Sequence, residues 1–342
     1  MKKRVLSLLC ALALLLPAAV LPAAAEDTRE APAELAEVET EEIELLPPGT
    51  EAETTENGWP AFPEEGEYIL EDATNGVWEY RSPKLIVEIH RITETKPNKQ
   101  IWYEAEVWCA EGGDYPRMIA NDPENWEKIK FEEYPYKIAR KNGVVLAVSS
   151  DFAHLRVQQK KTVGIVIRDS KIISSKTFKK STTFPNLDCL AIWPDGNMAV
   201  YDYNEKTAEE LLEAGVRDVL AFGPWLIRDG KLNEDALNKY GKSSAQRVAV
   251  GMVEKGHYFF MMLEGRRKKS AGAGISFLAK KLLEKGCTLA FNLDGGQTAC
   301  IVFMGRQLCR IQDGGDISSR RTSDILGVGY SDQLPGVKDG WK

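Results

Sequence analysis

Histidine is scarce, and cysteine at metal-binding spacing is absent. Three histidines, His90, His154 and His257, are scattered through 342 residues. They form no ligand motif, and His154, close behind Asp151, has the most suggestive neighbourhood. Of the six cysteines, Cys10 falls in the N-terminal apolar stretch. Cys109, Cys189, Cys287, Cys300 and Cys309 contain no Cys-x-x-Cys pair. A zinc cluster is therefore not expected, and the sequence assigns no metal and no cofactor. Basic charge is also short, with 44 Lys and Arg against 51 Asp and Glu for a formal net charge of -7. Without a basic stripe, nucleic acid is not an expected partner. Past the N-terminus no apolar run approaches the ~20 residues needed to cross a bilayer. No internal repeat is visible, which argues against a solenoid or propeller.

The N-terminus carries the pattern missing elsewhere. Lys2, Lys3 and Arg4 precede an apolar stretch from Val5 to Leu21, and Ala23-Ala24-Ala25 supplies small residues before Glu26-Asp27. This is the tripartite plan of a secretory signal, with cleavage expected after Ala25 and an extracytoplasmic location, secreted or in the cell envelope. Residues 26–58 are rich in Glu, Ala, Thr and Pro, and up to Asn57 Arg29 is their one base and no aromatic occurs. Such a segment buries too little apolar area to offset its ordering entropy and is expected to be a disordered acidic linker. The main domain is expected over 59–342, with its core at about 68–330.

Within that domain, β-branched or aromatic residues alternate with polar ones at 77–80, 84–91 and 101–108, the period of half-buried strands. Further strands are expected at 143–149, 164–167, 171–174, 187–193, 218–222 and 288–293, with a hairpin over 248–253 and 258–263. Thr207 followed by Glu210 forms a capping box. Residues 275–285 form an amphipathic helix stopped by Gly286. A short helix is expected near 125–130. The order lacks the regular alternation of a doubly wound sheet. The fold class is therefore α+β: a mixed, mainly antiparallel sheet packed by a few helices in a single main domain. A two-residue turn at Met304-Gly305 would pair Phe303 with Arg306 and Val302 with Gln307. Counting outward sets Cys300 opposite Cys309 at a non-hydrogen-bonded site, where Cα atoms lie ~4.5 Å apart, within disulfide range.

The strongest chemical signal is Asn292-Leu293-Asp294-Gly295-Gly296-Gln297-Thr298, where an apolar strand runs into a glycine turn. The strand fixes the carboxylate, and the glycines let backbone amides approach a ligand. Around it, in order, stand Ala147-Val148-Ser149-Ser150-Asp151-Phe152, Phe222-Gly223-Pro224-Trp225, Gln246-Arg247-Val248-Ala249-Val250-Gly251 and Leu263-Glu264-Gly265-Arg266. The glycine-rich stretch from Ser270 to Gly274 and then Arg321-Thr322-Ser323-Asp324-Ile325-Leu326 complete the set. This ordered series, from about Tyr68 to Tyr330, resembles the phosphodiester glycosidase family. Where that family usually reads Asp-Gly-Gly-Gly-Ser-Ser, this chain has Gln297-Thr298-Ala299 after its two glycines, and Thr298 keeps one hydroxyl.

The resemblance implies hydrolysis of a sugar-1-phosphodiester or phosphorylated glycan, in cell-envelope or exopolysaccharide metabolism. Phosphate is a good leaving group, so such a site relies less on a general acid than on cationic donors that grip phosphate. Asp294, Asp151 and Arg247 are the candidate catalytic residues, with one carboxylate attacking the anomeric carbon or activating water. Arg266, Asn292, Gly295, Gly296, Gln297, Thr298, Gly223 and Ser270 are the candidate substrate contacts. Ser270 can equally be read as a helix cap. The competing reading is a non-catalytic carbohydrate-binding or envelope-assembly protein on the same fold. A phosphotransferase with the same sugar-phosphate grip is a third.

Overall fold

The computed structural model describes residues 54–334 except 56, 123, 125–131, 154–162, 177–186 and 314–318. The expected signal, most of the acidic linker, the helix near 125–130 and His154 lie outside the described residues. Residues from Ala52 onward cluster as one unit. Every strand pairing among the described residues is antiparallel, and four α-helices accompany the sheets. The architecture is α+β. No helix among the described residues is long and apolar enough to cross a membrane.

Three sheets carry the fold. The largest has nine strands in the spatial order Tyr68–Asp72, Val77–Ser82, Leu85–Glu94, Gln100–Cys109, His257–Leu263, Arg247–Glu254, Leu289–Leu293, Trp225–Arg228 and Lys231–Leu232. A five-stranded sheet orders Met198–Tyr201, Asp188–Ile192, Asp218–Phe222, Gly164–Arg168 and Lys171–Lys176. The third orders Arg306–Gln307, Ile301–Phe303, Val144–Val148, Asp324–Tyr330 and Arg117–Ala120.

Alternation in the sequence becomes two-sidedness in the large sheet. Tyr80, Val87, Tyr103 and Phe260 face a core shared with Leu146, Val302 and Leu326 of the third sheet. On the opposite face, Trp102, Ala249 and Phe259 pack with Leu278 and Leu282 of the helix Ile275–Glu284. That helix buries Ile275, Leu278, Ala279 and Leu282, the spacing of one helical face. Each fully buried large aliphatic side chain contributes about 1.5–3 kcal/mol.

The capping box forms as read, with Thr207 accepting from the Glu210 amide and the Glu210 carboxylate accepting from the Thr207 amide. The Met304-Gly305 turn forms too: Phe303 pairs with Arg306, Val302 with Gln307, and φ is 43° and 69° at the two turn residues. Two positive φ values suit the twist of a two-residue hairpin. Cys300 and Cys309 are both fully buried, each within electrostatic reach of the other, and their thiols are free. Sequence patterning did not anticipate the helices Pro135–Lys141 and Glu234–Tyr240. Each is only seven residues long, too short for an apolar period to declare itself.

Gly251 shows why one strand residue is glycine. A Cβ there would lie 2.7 Å from Cys287 Sγ and 3.0 Å from Leu282 Cδ2, because the helix Ile275–Glu284 and its exit pass directly over the strand. Overpacking of this kind costs ~1–3 kcal/mol. Urea denaturation of Gly251→Ala should show a loss in that range. In a double-mutant cycle, Cys287→Ala should recover part of it, and purely additive losses would contradict the contact.

Candidate active site

The strand Leu289–Leu293 is buried along its whole length between Arg247–Glu254 and Trp225–Arg228. Its ladder ends with Val248 opposite Leu293, and the chain then turns at Asp294. An added Cβ at Gly295 would meet the Gln246 carbonyl oxygen at 2.6 Å, so only glycine lets the backbone run this close. The Gly296 amide donates to that same carbonyl at 3.1 Å, and a short 3-10 turn covers Gly296–Thr298.

Residues 149–153 grip Asp294 from the other side. Its amide donates to the Ser150 carbonyl at 3.0 Å, Ser149 Oγ donates to its carbonyl at 2.7 Å, and the Ala153 amide donates to its Oδ2 at 3.1 Å. The buried Thr298 hydroxyl also bonds the carboxyl group. Burial pushes the Asp294 pKa up to about 7, more than the bonds from Thr298 and Ala153 and the charge of Arg320 pull it down, and nearby Asp151 adds to the rise.

Asp151 occupies a different environment. Its Oδ2 accepts from Arg168 Nη2 at 2.6 Å, and the same guanidinium reaches Asp324 Oδ2 at 3.1 Å. Ser150 Oγ donates to Asp324 Oδ1 at 2.5 Å. Burial works against the charge of Arg168, but Asp151 and Asp324 outweigh it and hold the proton more firmly than usual. Asp151 is 1% exposed against 7% for Asp294, so Asp294 has the wider access to solvent.

Positive charge stands on two sides of the turn. Arg320 Nη2 donates to Gln297 Oε1 at 3.0 Å, and its amide donates to the Gln297 carbonyl at 2.7 Å. Arg266, at φ 56°, brings its guanidinium to within 3.9 Å of where a Gly296 Cβ would sit. On the other side a cleft of about 340 Å³ is lined by Arg247, Asn292 and Gly223 among others. Arg247 is held by the carbonyls of Ser243, at 2.6 Å, and Ala273, at 3.4 Å. Its burial and the neighbouring Arg266 lower its pKa. Asn292 Nδ2 donates to the Gly223 carbonyl at 2.7 Å. At Gly223, φ is 82° and an added Cβ would lie 2.9 Å from Asp188 Cβ.

The structure thus gathers Asp294, Gly295, Gly296, Gln297, Thr298 and Arg266 around one turn, with Asn292, Gly223 and Arg247 on the adjoining cleft. Ser270 stands apart. It is fully buried, its hydroxyl donating to the Glu264 carbonyl at 2.8 Å and accepting from the Ile101 amide at 3.0 Å, and the helix it was read as capping starts at Ile275 with Gly274 as N-cap. It ties a loop to the large sheet and presents nothing to a ligand.

The profile of phosphodiester glycosidases matches residues 142–329. The chain belongs to the phosphodiester glycosidase family. The match covers the Asp151 segment, the Asp294 turn and the Asp324 strand. A curated relative, the SPbeta prophage-derived uncharacterized protein YomE of Bacillus subtilis, is 27% identical over 172 residues. That alignment takes in 50% of this chain and 26% of YomE, so the chain spans about a quarter of that relative's length. Among solved structures, the zebrafish N-acetylglucosamine-1-phosphodiester alpha-N-acetylglucosaminidase catalytic domain, auto-inhibited by its pro-peptide, is similar in fold. The TM-score is 0.56 at 17% identity, over 78% of this chain and 88% of that one. A hypothetical protein from Synechocystis gives 0.50 at 13% identity, over 74% and 65%.

Two residues of this candidate site escaped the sequence reading. Arg168 closes an otherwise apolar strand, and a charge in that position was the available signal. Arg320 directly precedes the Arg321-Thr322-Ser323-Asp324 motif, but nothing local links it to Gln297.

The raised Asp294 pKa fixes a stability prediction. Between its ordinary value of 3.8 and about 7, the folded chain binds more protons here than the unfolded chain does. Stability from this group is therefore full at acid pH and is lost as pH climbs through about 7. Asn cannot ionise, so from pH 5 to pH 8 the Tm of Asp294→Asn should gain roughly 5 °C on the parent. Asp188, which burial also pushes to about 7, remains in both proteins and cancels in the difference. A Tm difference that does not move with pH would contradict the assignment.

Proposed function

We propose that this chain hydrolyses a sugar-1-phosphodiester, releasing free sugar and a phosphomonoester. Family membership supports glycosidase chemistry, and the observation that carries the finer reading is the Asp294 carboxyl. It is buried, held in place by the Ala153 amide and Thr298, and raised to about 7 at the mouth of a glycine turn. A carboxyl with a pKa near working pH is suited to proton transfer, and one fixed by hydrogen bonds is suited to attack. The anomeric C–O bond breaks with its electron pair leaving on phosphate, while Asp294 either bonds the anomeric carbon, in a glycosyl ester that water then hydrolyses to free sugar and the carboxylate, or takes the proton of the water that attacks directly.

Charge on the departing phosphate needs cationic donors, and Arg266 and Arg320 stand beside the turn at Gly296 and Gln297. Asp151, tied to Arg168, acts here as a positioning residue, because its charge is already engaged beneath the loop that grips Asp294. Export is part of the proposal: the basic, apolar and small-residue segments of residues 1–25 support a signal, and 26–58 would set the domain at a distance from the envelope. Polymers of the cell envelope or exopolysaccharide are the corresponding substrates.

The test is turnover of N-acetylglucosamine 1-phosphodiesters by the purified chain, followed as sugar release. Both roles for Asp294 require its ionised form, so kcat/KM should rise with pH and level off above about 7. Asp294→Asn should lose at least ~10³-fold in kcat while its circular dichroism is unchanged. An Asn variant as active as the parent would remove the mechanism, and glycan retention without turnover would assign binding instead.

A further inference from the structure

The cleft beside Asn292 holds more positive charge than a single phosphodiester requires. Arg247, Lys239 and Lys242 line it together with Tyr240 and Phe222, and no carboxylate lines it. Lys242 has no ion pair or hydrogen bond among the described residues, and Arg247 Nη1 has no hydrogen bond there. At the floor, Asn292 is 3% exposed; its amide nitrogen is committed to Gly223, and its Oδ1 is buried without a protein partner. A buried acceptor left unmade costs ~1–3 kcal/mol, so this oxygen calls for a donor from whatever fills the cleft.

These cations are separate from those at the Asp294 turn. Arg266 stands over Gly296 and Arg320 is bonded to Gln297, whereas Arg247 is anchored to Ser243 and Ala273 on the cleft wall. Arg247 and Arg266 are close enough to depress the pKa of Arg247, so the two groups adjoin. A phosphodiester carries one negative charge, which the pair at the turn suffices to meet. Lys242 and Arg247 Nη1, on a cleft wall that carries no carboxylate, are then left to draw in a further anion through their summed positive potential.

Resting on the proposed reaction at Asp294, we propose that the preferred substrate carries a second anionic group, a phosphate or a carboxylate, next to the scissile phosphodiester. Arg247 and Lys242 bind that group in the cleft, and a hydroxyl or amide N–H of the same molecule donates to Asn292 Oδ1. The substrate class is thus a doubly charged glycosyl phosphate, such as a sugar diphosphate ester or a unit of a phosphodiester-linked anionic polymer.

Three substrates separate the possibilities: N-acetylglucosamine 1-phosphoglycerol with one charge, the matching 1-phosphoglycerate with an added carboxylate, and UDP-N-acetylglucosamine with an added phosphate. At least one doubly charged substrate should exceed the glycerol ester in kcat/KM by about tenfold, the effect of one charged hydrogen bond. Which one does so identifies the anion. In Lys242→Gln that ratio should fall towards one, while Lys206→Gln, which removes an exposed lysine outside the cleft, should keep it. A parent ratio of one, or a ratio unmoved by Lys242→Gln, overturns the inference. If no substrate is turned over, the proposed reaction fails and calorimetry with inorganic pyrophosphate decides the cleft. Binding weakened about tenfold in Lys242→Gln supports it, and equal or absent binding overturns it.

Discussion

A guanidinium shut away from water holds the working end of this protein together. Arg168 ends a strand of one five-stranded sheet; of its partners, Asp324 opens a strand of another and Asp151 follows three residues after the neighbouring strand Val144–Val148. The segment from Ser149 to Ala153 that this pairing fixes then grips Asp294, which leaves the nine-stranded sheet. Three sheets therefore meet through one buried cation and two carboxylates. Such an arrangement is no guarantee of stability, since desolvation offsets much of the attraction. Removing the Arg168 guanidinium is costly, about 3–5 kcal/mol, because two carboxylates then stay buried without its charge. The physical effect is a fixed loop geometry over a carboxyl that must be held in place.

That geometry explains how two nearby aspartates come to differ. Asp151 is paired with a guanidinium and stays under the loop. Asp294 receives one amide and one hydroxyl but, among the described residues, no direct ion pair, so burial dominates and its proton is held to about 7. Asp188 follows the same logic at the start of its strand, where amides of Trp225 and Tyr203 bond it but burial prevails. The glycines serve the same end by sterics: Gly295 lets the turn lie against Gln246, and Gly223 lets its loop lie against Asp188.

What could be read in advance follows from the range of each interaction. The Asp294-Gly295-Gly296 turn, the Thr207 capping box, the Met304-Gly305 hairpin and the Ile275–Glu284 helix are set by neighbours a few residues away, and their patterns are visible in one dimension. Arg168 was not legible, because its partners lie 17 and 156 positions away and only the packing of sheets joins them. Ser270 was misleading for a related reason. A serine before a glycine-rich helix start looks like a cap, yet its partners are Glu264 and a strand residue, Ile101, 169 positions distant. Arg247 was legible as a strand-opening cation, but its direction, towards the Asn292 cleft, depended on the loop after Tyr240.

Burial and the 149–153 loop hold one carboxyl, that of Asp294, in reserve near neutral pH. Carboxyl-carbon NMR of protein labelled at aspartate measures this directly, with the resonance missing from Asp294→Asn giving the assignment. That resonance should titrate with a midpoint near 7. A midpoint near the ordinary aspartate value of about 4 would contradict it.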